Sequence, residues 1–162
     1  MKVTRRGFLA IVGAAGATGV VAVAGFQALP GEARPNGEPE VRYGKESCAR
    51  CSMVISDPRF AAAWREPDGH EKHFDDIGCM ALDETDRHPP RGTRMWVHDY
   101  ETEQWLGATD AYYVRSDTFK TPMSYGIAGA ATPTAAERLG ADRGGARVLQ
   151  WPAVAPSLVR RN

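Results

Sequence analysis

Residues 60–85 decide the fold of the chain, and they read FAAAWREPDGHEKHFDDIGCMALDET. The turn sequence Pro67-Asp68-Gly69 separates two short segments, Phe60 to Arg65 and Glu71 to Phe74. Proline and glycine in this arrangement favour a tight reversal of the backbone, so the stretch predicts a β-hairpin.

A short helix is expected directly after the hairpin. Asp75 and Asp76 precede a segment from Ile77 to about Thr85 that contains several apolar residues. Aspartate caps the first free N–H groups of a helix, and its charge is favourable at the positive end of the helix dipole. Pro89-Pro90 ends this unit, and Arg94 to His98 then alternates as a strand does. The predicted order is strand, strand, helix, strand.

The second half of the chain repeats this order with a weaker pattern. The pattern predicts strands at Ala111–Arg115, Tyr125–Ala130 and Arg147–Trp151, with a helix from Thr132 to Leu139 that ends at Gly140. Each half, about 41–100 and 101–154, is too short to bury more than a marginal core, so we expect the halves to pack together. The predicted fold class is α+β, with two small ββαβ units packed together. Two further short strands are predicted at Val41–Tyr43 and Ser52–Ile55.

The first 29 residues have the features of a targeting segment. Arg5-Arg6 stands before an uncharged run from Phe8 to Leu29 that is rich in Gly and Ala. This arrangement resembles a twin-arginine (Tat) export signal, with Ala22-Val23-Ala24 as a cleavage site. The alternative is an uncleaved anchor through residues 8–29, because about 20 apolar residues span a membrane. Both interpretations predict a periplasmic protein or one on the outer face of the cytoplasmic membrane.

Composition divides the rest of the chain. Residues 30–40 are rich in Pro and Gly and predict a flexible linker, residues 41–154 form the predicted functional domain, and residues 155–162 form a tail.

The chain balances 20 Lys and Arg against 20 Asp and Glu. Without the first 30 residues, 17 basic side chains face 20 acidic ones. A weakly acidic body argues against nucleic-acid binding, which needs clustered basic residues.

Three sulfur atoms lie within six residues in Cys48-x-x-Cys51-x-Met53. Soft thiolate and thioether ligands favour Cu(I), whereas zinc sites usually take four nitrogen or sulfur ligands. A single CxxC leaves three interpretations open: a metal site, a redox dithiol or a structural disulfide. Because the chain has three cysteines, they cannot all pair with one another.

Two other sulfur residues are candidates with plain structural alternatives. Cys79 lies on the predicted helix, where a free cysteine is often a core residue. Its closeness to the start of the helix would lower the pKa of the thiol and favour a ligand. Met123 lies in a loop between Pro122 and Gly126, where it is either a ligand or a gap-filling side chain.

The four histidines are scattered, and no hydrolase, P-loop, Rossmann or HExxH motif is present.

Six ordered motifs resemble the NosL family over roughly residues 43–151. They are CARCSMxI from Cys48, RFAA from Arg59, FDDIGCM from Phe74, WVHDY from Trp96, AYYV from Ala111 and TPMSYG from Thr121. The resemblance implies a pair of ββαβ units related to the organomercurial lyase fold. It also implies an extracytoplasmic copper-binding accessory protein that helps to assemble the copper sites of nitrous oxide reductase.

The resemblance also implies a ligand set. Cys51 and Met123 are the strongest candidates, followed by Cys48, Met53 and Cys79. The chain departs from the family at two points. The family's common Cys-Gly-Met is Cys51-Ser52-Met53 here, and the chain has a Tat-like segment where many members carry an N-terminal lipid-modified cysteine.

Three hypotheses follow from the sequence. The first is a Cu(I) carrier without enzyme activity, which hands the ion to a copper enzyme such as nitrous oxide reductase and obtains it from a copper-exporting membrane protein. The second is an exported thiol-disulfide oxidoreductase that uses Cys48 and Cys51. The third is a distant lyase that uses Cys79, with Asp75 or Asp76 as the proton donor, and it rests on fold analogy alone.

Replacing Arg5 and Arg6 by lysine tests the export signal. We expect the precursor to remain in the cytoplasm, because the receptor of this pathway recognises the arginine pair. Fractionation of cells that express the wild type and the double variant measures this. Unchanged delivery of the variant would show that export follows another route.

Overall fold

The structure, a computed structural model, describes residues 37–159. The predicted signal or anchor and most of the predicted linker therefore lie outside the described residues. Two small antiparallel sheets and three α-helices make up the described part. In this part of the chain, no helix is both long and apolar enough to cross a membrane.

The first half forms a four-stranded sheet with one helix. A 3-10 turn at Pro58–Phe60 leads into β1 (Ala62–Arg65), β2 (Glu71–Phe74), α1 (Ile77–Arg87), β3 (Arg94–His98) and β4 (Trp105–Gly107). The strand order is β2-β1-β3-β4, and all neighbours are antiparallel. The predicted hairpin is confirmed, because β1 pairs directly with β2.

The second half forms a three-stranded sheet with two helices. Its elements are β5 (Tyr112–Arg115), β6 (Ile127–Ala130), α2 (Pro133–Ala141), β7 (Arg147–Gln150) and α3 (Trp151–Leu158). The strand order is β6-β5-β7, again antiparallel. Both halves thus contain the order strand, strand, helix, strand, and the predicted α+β fold of two ββαβ units is confirmed.

Three local predictions differ from the structure. Val41–Tyr43 and Ser52–Ile55 lie in loops and are not strands. The second segment makes one isolated antiparallel bridge, between Val54 and Ser47. Ser52 has a left-handed φ of 64°, which breaks the extended backbone that a strand needs. Gly140 does not end α2, which continues to Ala141 and is capped by Asp142.

The remaining differences concern β4 and α3. The sequence pattern predicts neither element, and it predicts Trp151 in a strand, whereas this residue begins α3. Pro152 suits the first turn of a helix, where its missing N–H has no partner to lose. The helix continues to Leu158 and so covers part of the predicted tail.

A shared core joins the halves. Trp64, Phe74 and Met80 of the first half belong to the same buried cluster as Tyr113 and Trp151 of the second half. Polar bonds reinforce the contact: Trp151 Nε1 donates to a Glu84 carboxylate oxygen at 2.8 Å. This shared burial agrees with the expectation that neither half holds an adequate core alone.

The backbones of the two sheets also meet directly. Asp99 pairs with Gly129 in a parallel bridge, and the Tyr100 N–H donates to the Gly129 carbonyl at 2.9 Å. A Cβ at Gly129 would lie 2.5 Å from the His98 carbonyl oxygen. Only glycine therefore permits this close approach of the two sheets.

Replacing Gly129 by alanine tests this junction. We expect the free energy of unfolding to fall by about 1–3 kcal/mol, because the new methyl group meets backbone that cannot move aside cheaply. Urea unfolding curves measure the change. Gly144→Ala is the matched control, since a Cβ there meets nothing within 4 Å, and its effect should stay within about 0.5 kcal/mol. Equal effects of the two substitutions would contradict the close approach.

Candidate metal centre

Four side chains form one group, which we call the four-donor cluster: Cys48, Cys51, Asp75 and Cys79. Their three sulfur atoms and one carboxylate oxygen all lie within 4.8 Å of one another. Cys48 and Cys51 come from the loop before β1, whereas Asp75 and Cys79 come from the start of α1. All three cysteines are free thiols.

The loop that carries the CxxC motif is held in a tight turn. The Ser52 N–H donates to the Cys48 carbonyl at 3.0 Å, and the Cys48 N–H donates to the Met53 carbonyl at 2.8 Å. The Ala49 N–H donates to the His73 carbonyl at 2.9 Å, which fastens the loop to β2. The turn brings the two sulfur atoms together on the side that faces α1.

The first turn of α1 supplies the other two donors. Asp76 caps the helix as predicted, because its carboxylate accepts from the Gly78 N–H at 2.9 Å. Asp75, one residue earlier, is therefore not needed as a cap and belongs to the cluster instead. Cys79 is fully buried within the first turn of the helix.

Cys48 is the thiolate of the cluster. The Cys79 thiol donates a hydrogen bond to its sulfur, and the backbone N–H groups of Cys51, Asp75 and Arg50 also donate to it. These four donors outweigh the effect of burial and lower the pKa of Cys48 to about 6. Cys48 therefore carries a negative charge at neutral pH.

The other two thiols remain protonated. The pKa of Cys79 is raised, first because its thiol is the donor to Cys48 and second because the residue is buried. The expectation that the start of the helix lowers this pKa is wrong, since the neighbouring thiolate dominates. Burial raises the pKa of Cys51 to about 11, aided by its hydrogen bond to Asp75 and by the nearby Cys48. The cluster thus holds one thiolate and two thiols.

The carboxylate of Asp75 is only partly satisfied. Its Oδ1 accepts from Cys51 Sγ at 3.2 Å. Its Oδ2 is buried and has no hydrogen-bond partner among residues 37–159. The sequence pattern does not predict Asp75 as a donor in a metal site. The signal available was the pair of adjacent acids, of which a helix cap needs only one.

The two candidate methionines lie outside the four-donor cluster. Met123 packs, partly buried, against the core that contains Cys48 and Cys79, and its N–H donates to Asp76 Oδ2 at 3.1 Å. Met53 follows Cys51 by two residues and has 56% of its surface exposed. The structure thus brings Cys48, Cys51 and Cys79 together, and places both methionines on segments that border them.

The family model of NosL matches residues 42–159. This chain belongs to the NosL family. The fold of this NosL-family protein is similar to the crystal structure of the copper chaperone NosL from Shewanella denitrificans, with a TM-score of 0.60 at 16% sequence identity. The match covers 71% of this chain and 93% of that chain. No curated protein matches the sequence.

The thiolate of this NosL-family protein can be measured directly. We expect the ultraviolet thiolate absorbance of the reduced, metal-free protein to fall by one thiolate as the pH falls through about 6. Cys48→Ser should remove this step, and Cys79→Ala should move it to higher pH, because the thiol donor is lost. Cys51→Ser is the control and should keep it. A step that follows Cys51 would contradict the assignment.

Proposed function

We propose that this NosL-family protein is a carrier of Cu(I) and not an enzyme, and that it holds the ion on the cysteine sulfurs of the four-donor cluster. The observation that supports the proposal is the set of three cysteine sulfurs in reach of one another, one of them already a thiolate. Soft sulfur donors favour a cuprous ion. The named structural relative is itself a copper chaperone.

The exposure of the donors suits transfer of the ion to a partner. Cys48 and Cys79 are buried, Cys51 is half-buried and Met53 is exposed. For an ion bound at Cys48 and Cys51, the half-buried Cys51 is the more accessible of the two ligands, and a partner's ligand can replace it by ligand exchange. A closed shell of four protein ligands would retain the ion instead.

Asp75 fits a role in the protonation of Cys51. Metal ligation needs the thiolate form, so Cys51 must lose its proton when it binds the ion. The hydrogen bond from Cys51 Sγ to Asp75 Oδ1 stabilises the protonated thiol. Ion binding has to break this bond and ion release restores it, which favours release.

The thiols fit a carrier better than the alternative, an exported thiol-disulfide oxidoreductase that uses Cys48 and Cys51. A dithiol enzyme needs an attacking cysteine that is both exposed and of low pKa. In this structure the low pKa belongs to buried Cys48, whereas the more exposed Cys51 has a raised pKa. The CxxC motif also lies in a turn and not at the start of a helix.

The proposal also covers the location of the protein and the proteins with which it exchanges copper. We place the protein outside the cytoplasm, delivered by the Tat pathway, because Arg5-Arg6 precedes an uncharged apolar run. The recipient we propose is nitrous oxide reductase, as the motif resemblance implies, with a copper-exporting membrane protein as the source of the ion.

Copper binding tests the proposal. We expect the reduced protein to bind one Cu(I) without oxygen, and to be stabilised against unfolding by roughly 4 kcal/mol when free Cu(I) is a thousand times its Kd. Cys48→Ser with Cys51→Ser should lose both effects, and a Cys48–Cys51 disulfide form should bind poorly. Zn(II) is the comparison ion, since three cysteines and a carboxylate can also hold zinc. An unmoved melting temperature with Cu(I), or stronger binding of Zn(II), would contradict a copper carrier.

Met123→Leu separates a ligand from a packing residue. Leucine keeps the volume and apolar character of methionine, so the metal-free stability should change by less than about 1.5 kcal/mol. Loss of a thioether ligand should weaken Cu(I) binding at least about tenfold. A competing Cu(I) chelator measures the affinity, and a urea curve of the metal-free variant is the control. Normal affinity would make Met123 a packing residue.

A further inference from the structure

A second site lies away from the four-donor cluster, between the small sheet and α3. A cavity of about 540 Å³ opens there, which is the size of a small-ligand site. Its polar lining consists of Arg115 on β5, Arg147 on β7 and Ser157 on α3. The remaining lining residues are apolar: Leu149, Ala153, Pro156 and Val159. We call this cavity the arginine pocket.

The two arginines of the pocket are a like-charged pair. Arg115 and Arg147 are direct partners in the register between β5 and β7. Like charges directly opposite each other in a sheet are destabilising, so a bound counter-charge would relieve the repulsion between these two arginines. Among residues 37–159, no acidic side chain makes a salt bridge to either of them.

Arg115 also has an unsatisfied donor. Its Nε is buried and has no hydrogen-bond partner among the described residues. A buried N–H without a partner is costly, and an anion that enters the pocket would remove this cost. The Ser157 hydroxyl donates to the Val154 carbonyl at 2.6 Å. As a neutral group, it cannot balance the charge of the two arginines.

The sequence that forms the last strand and helix of the pocket is basic. Between Asp142 and Val159 the chain contains two arginines, Arg143 and Arg147, and no acidic residue, whereas residues 41–142 contain 12 basic and 17 acidic side chains. Val159 at the rim has 64% of its surface exposed. Arginines beside exposed aliphatic side chains are typical of a surface that contacts an anionic membrane.

We propose that the arginine pocket binds the phosphodiester headgroup of an anionic phospholipid. The guanidinium groups of Arg115 and Arg147 pair with the phosphate oxygens, because the planar fork of arginine matches this geometry. The apolar wall of Leu149, Pro156 and Val159 contacts the glycerol and the first acyl carbons. An acidic peptide fits less well, because the wall of Leu149, Pro156 and Val159 offers its backbone no hydrogen-bonding side chain.

Binding of soluble short-chain lipids to the full, metal-free chain tests the proposal. The ligands are dihexanoyl phosphatidylglycerol below its micelle concentration, the zwitterionic dihexanoyl phosphatidylcholine and inorganic phosphate, each followed by calorimetry. We expect phosphatidylglycerol to bind at least about tenfold more tightly than the other two. Equal binding of phosphatidylcholine, or of phosphate alone, would overturn the assignment to an anionic lipid.

Arg147→Glu locates the site. The exposed glutamate would face Arg115 across the strand pair and supply the missing counter-charge, so the melting temperature should hold or rise. Binding of phosphatidylglycerol should nevertheless fall at least about tenfold. Arg91→Glu makes the same charge change at an exposed arginine outside the pocket and is the matched control. Unchanged binding in Arg147→Glu, or an equal loss in Arg91→Glu, would overturn the proposal.

Discussion

The buried carboxylate of Asp76 connects the two halves of the protein at the metal centre. One oxygen accepts from the Gly78 N–H and fixes the first turn of α1, and the other accepts from the Met123 N–H in the second half. Because Gly78 has no side chain, the Tyr125 ring can pack against that turn; a Cβ would lie 2.4 Å from the ring. The positions of Cys79 and of the Met123 loop therefore both depend on Asp76.

This fixed helix start also determines the charge of the cluster. It holds Cys79 as a donor beside Cys48 and points the Asp75 N–H at the same sulfur, so that the negative charge settles on the buried cysteine. Cys51 keeps its proton and shares it with Asp75. The result is a site with one thiolate of low pKa inside and, near the surface, one thiol that must lose its proton to bind, which suits an ion that must be bound and then released.

The sequence predicts most of the fold and part of the site, for local reasons. The hairpin, the Asp76 cap and the repeated strand and helix order follow from turn residues and caps, and the structure confirms them. β4 has only three residues and α3 contains Pro152 and Pro156, so neither carries a periodic pattern that could be recognised. Asp75 and the pKa order of the three cysteines depend on contacts between distant segments, which no spacing in the sequence shows.

The most direct test of the account is the X-ray absorption spectrum of copper in the reduced, loaded protein. We expect a cuprous edge and a first shell made of sulfur, since the cluster offers three cysteine sulfurs. Cys51→Ser should lower the sulfur count, while Asp75→Asn should leave the shell unchanged. A first shell dominated by nitrogen or oxygen would contradict a site built on these cysteines.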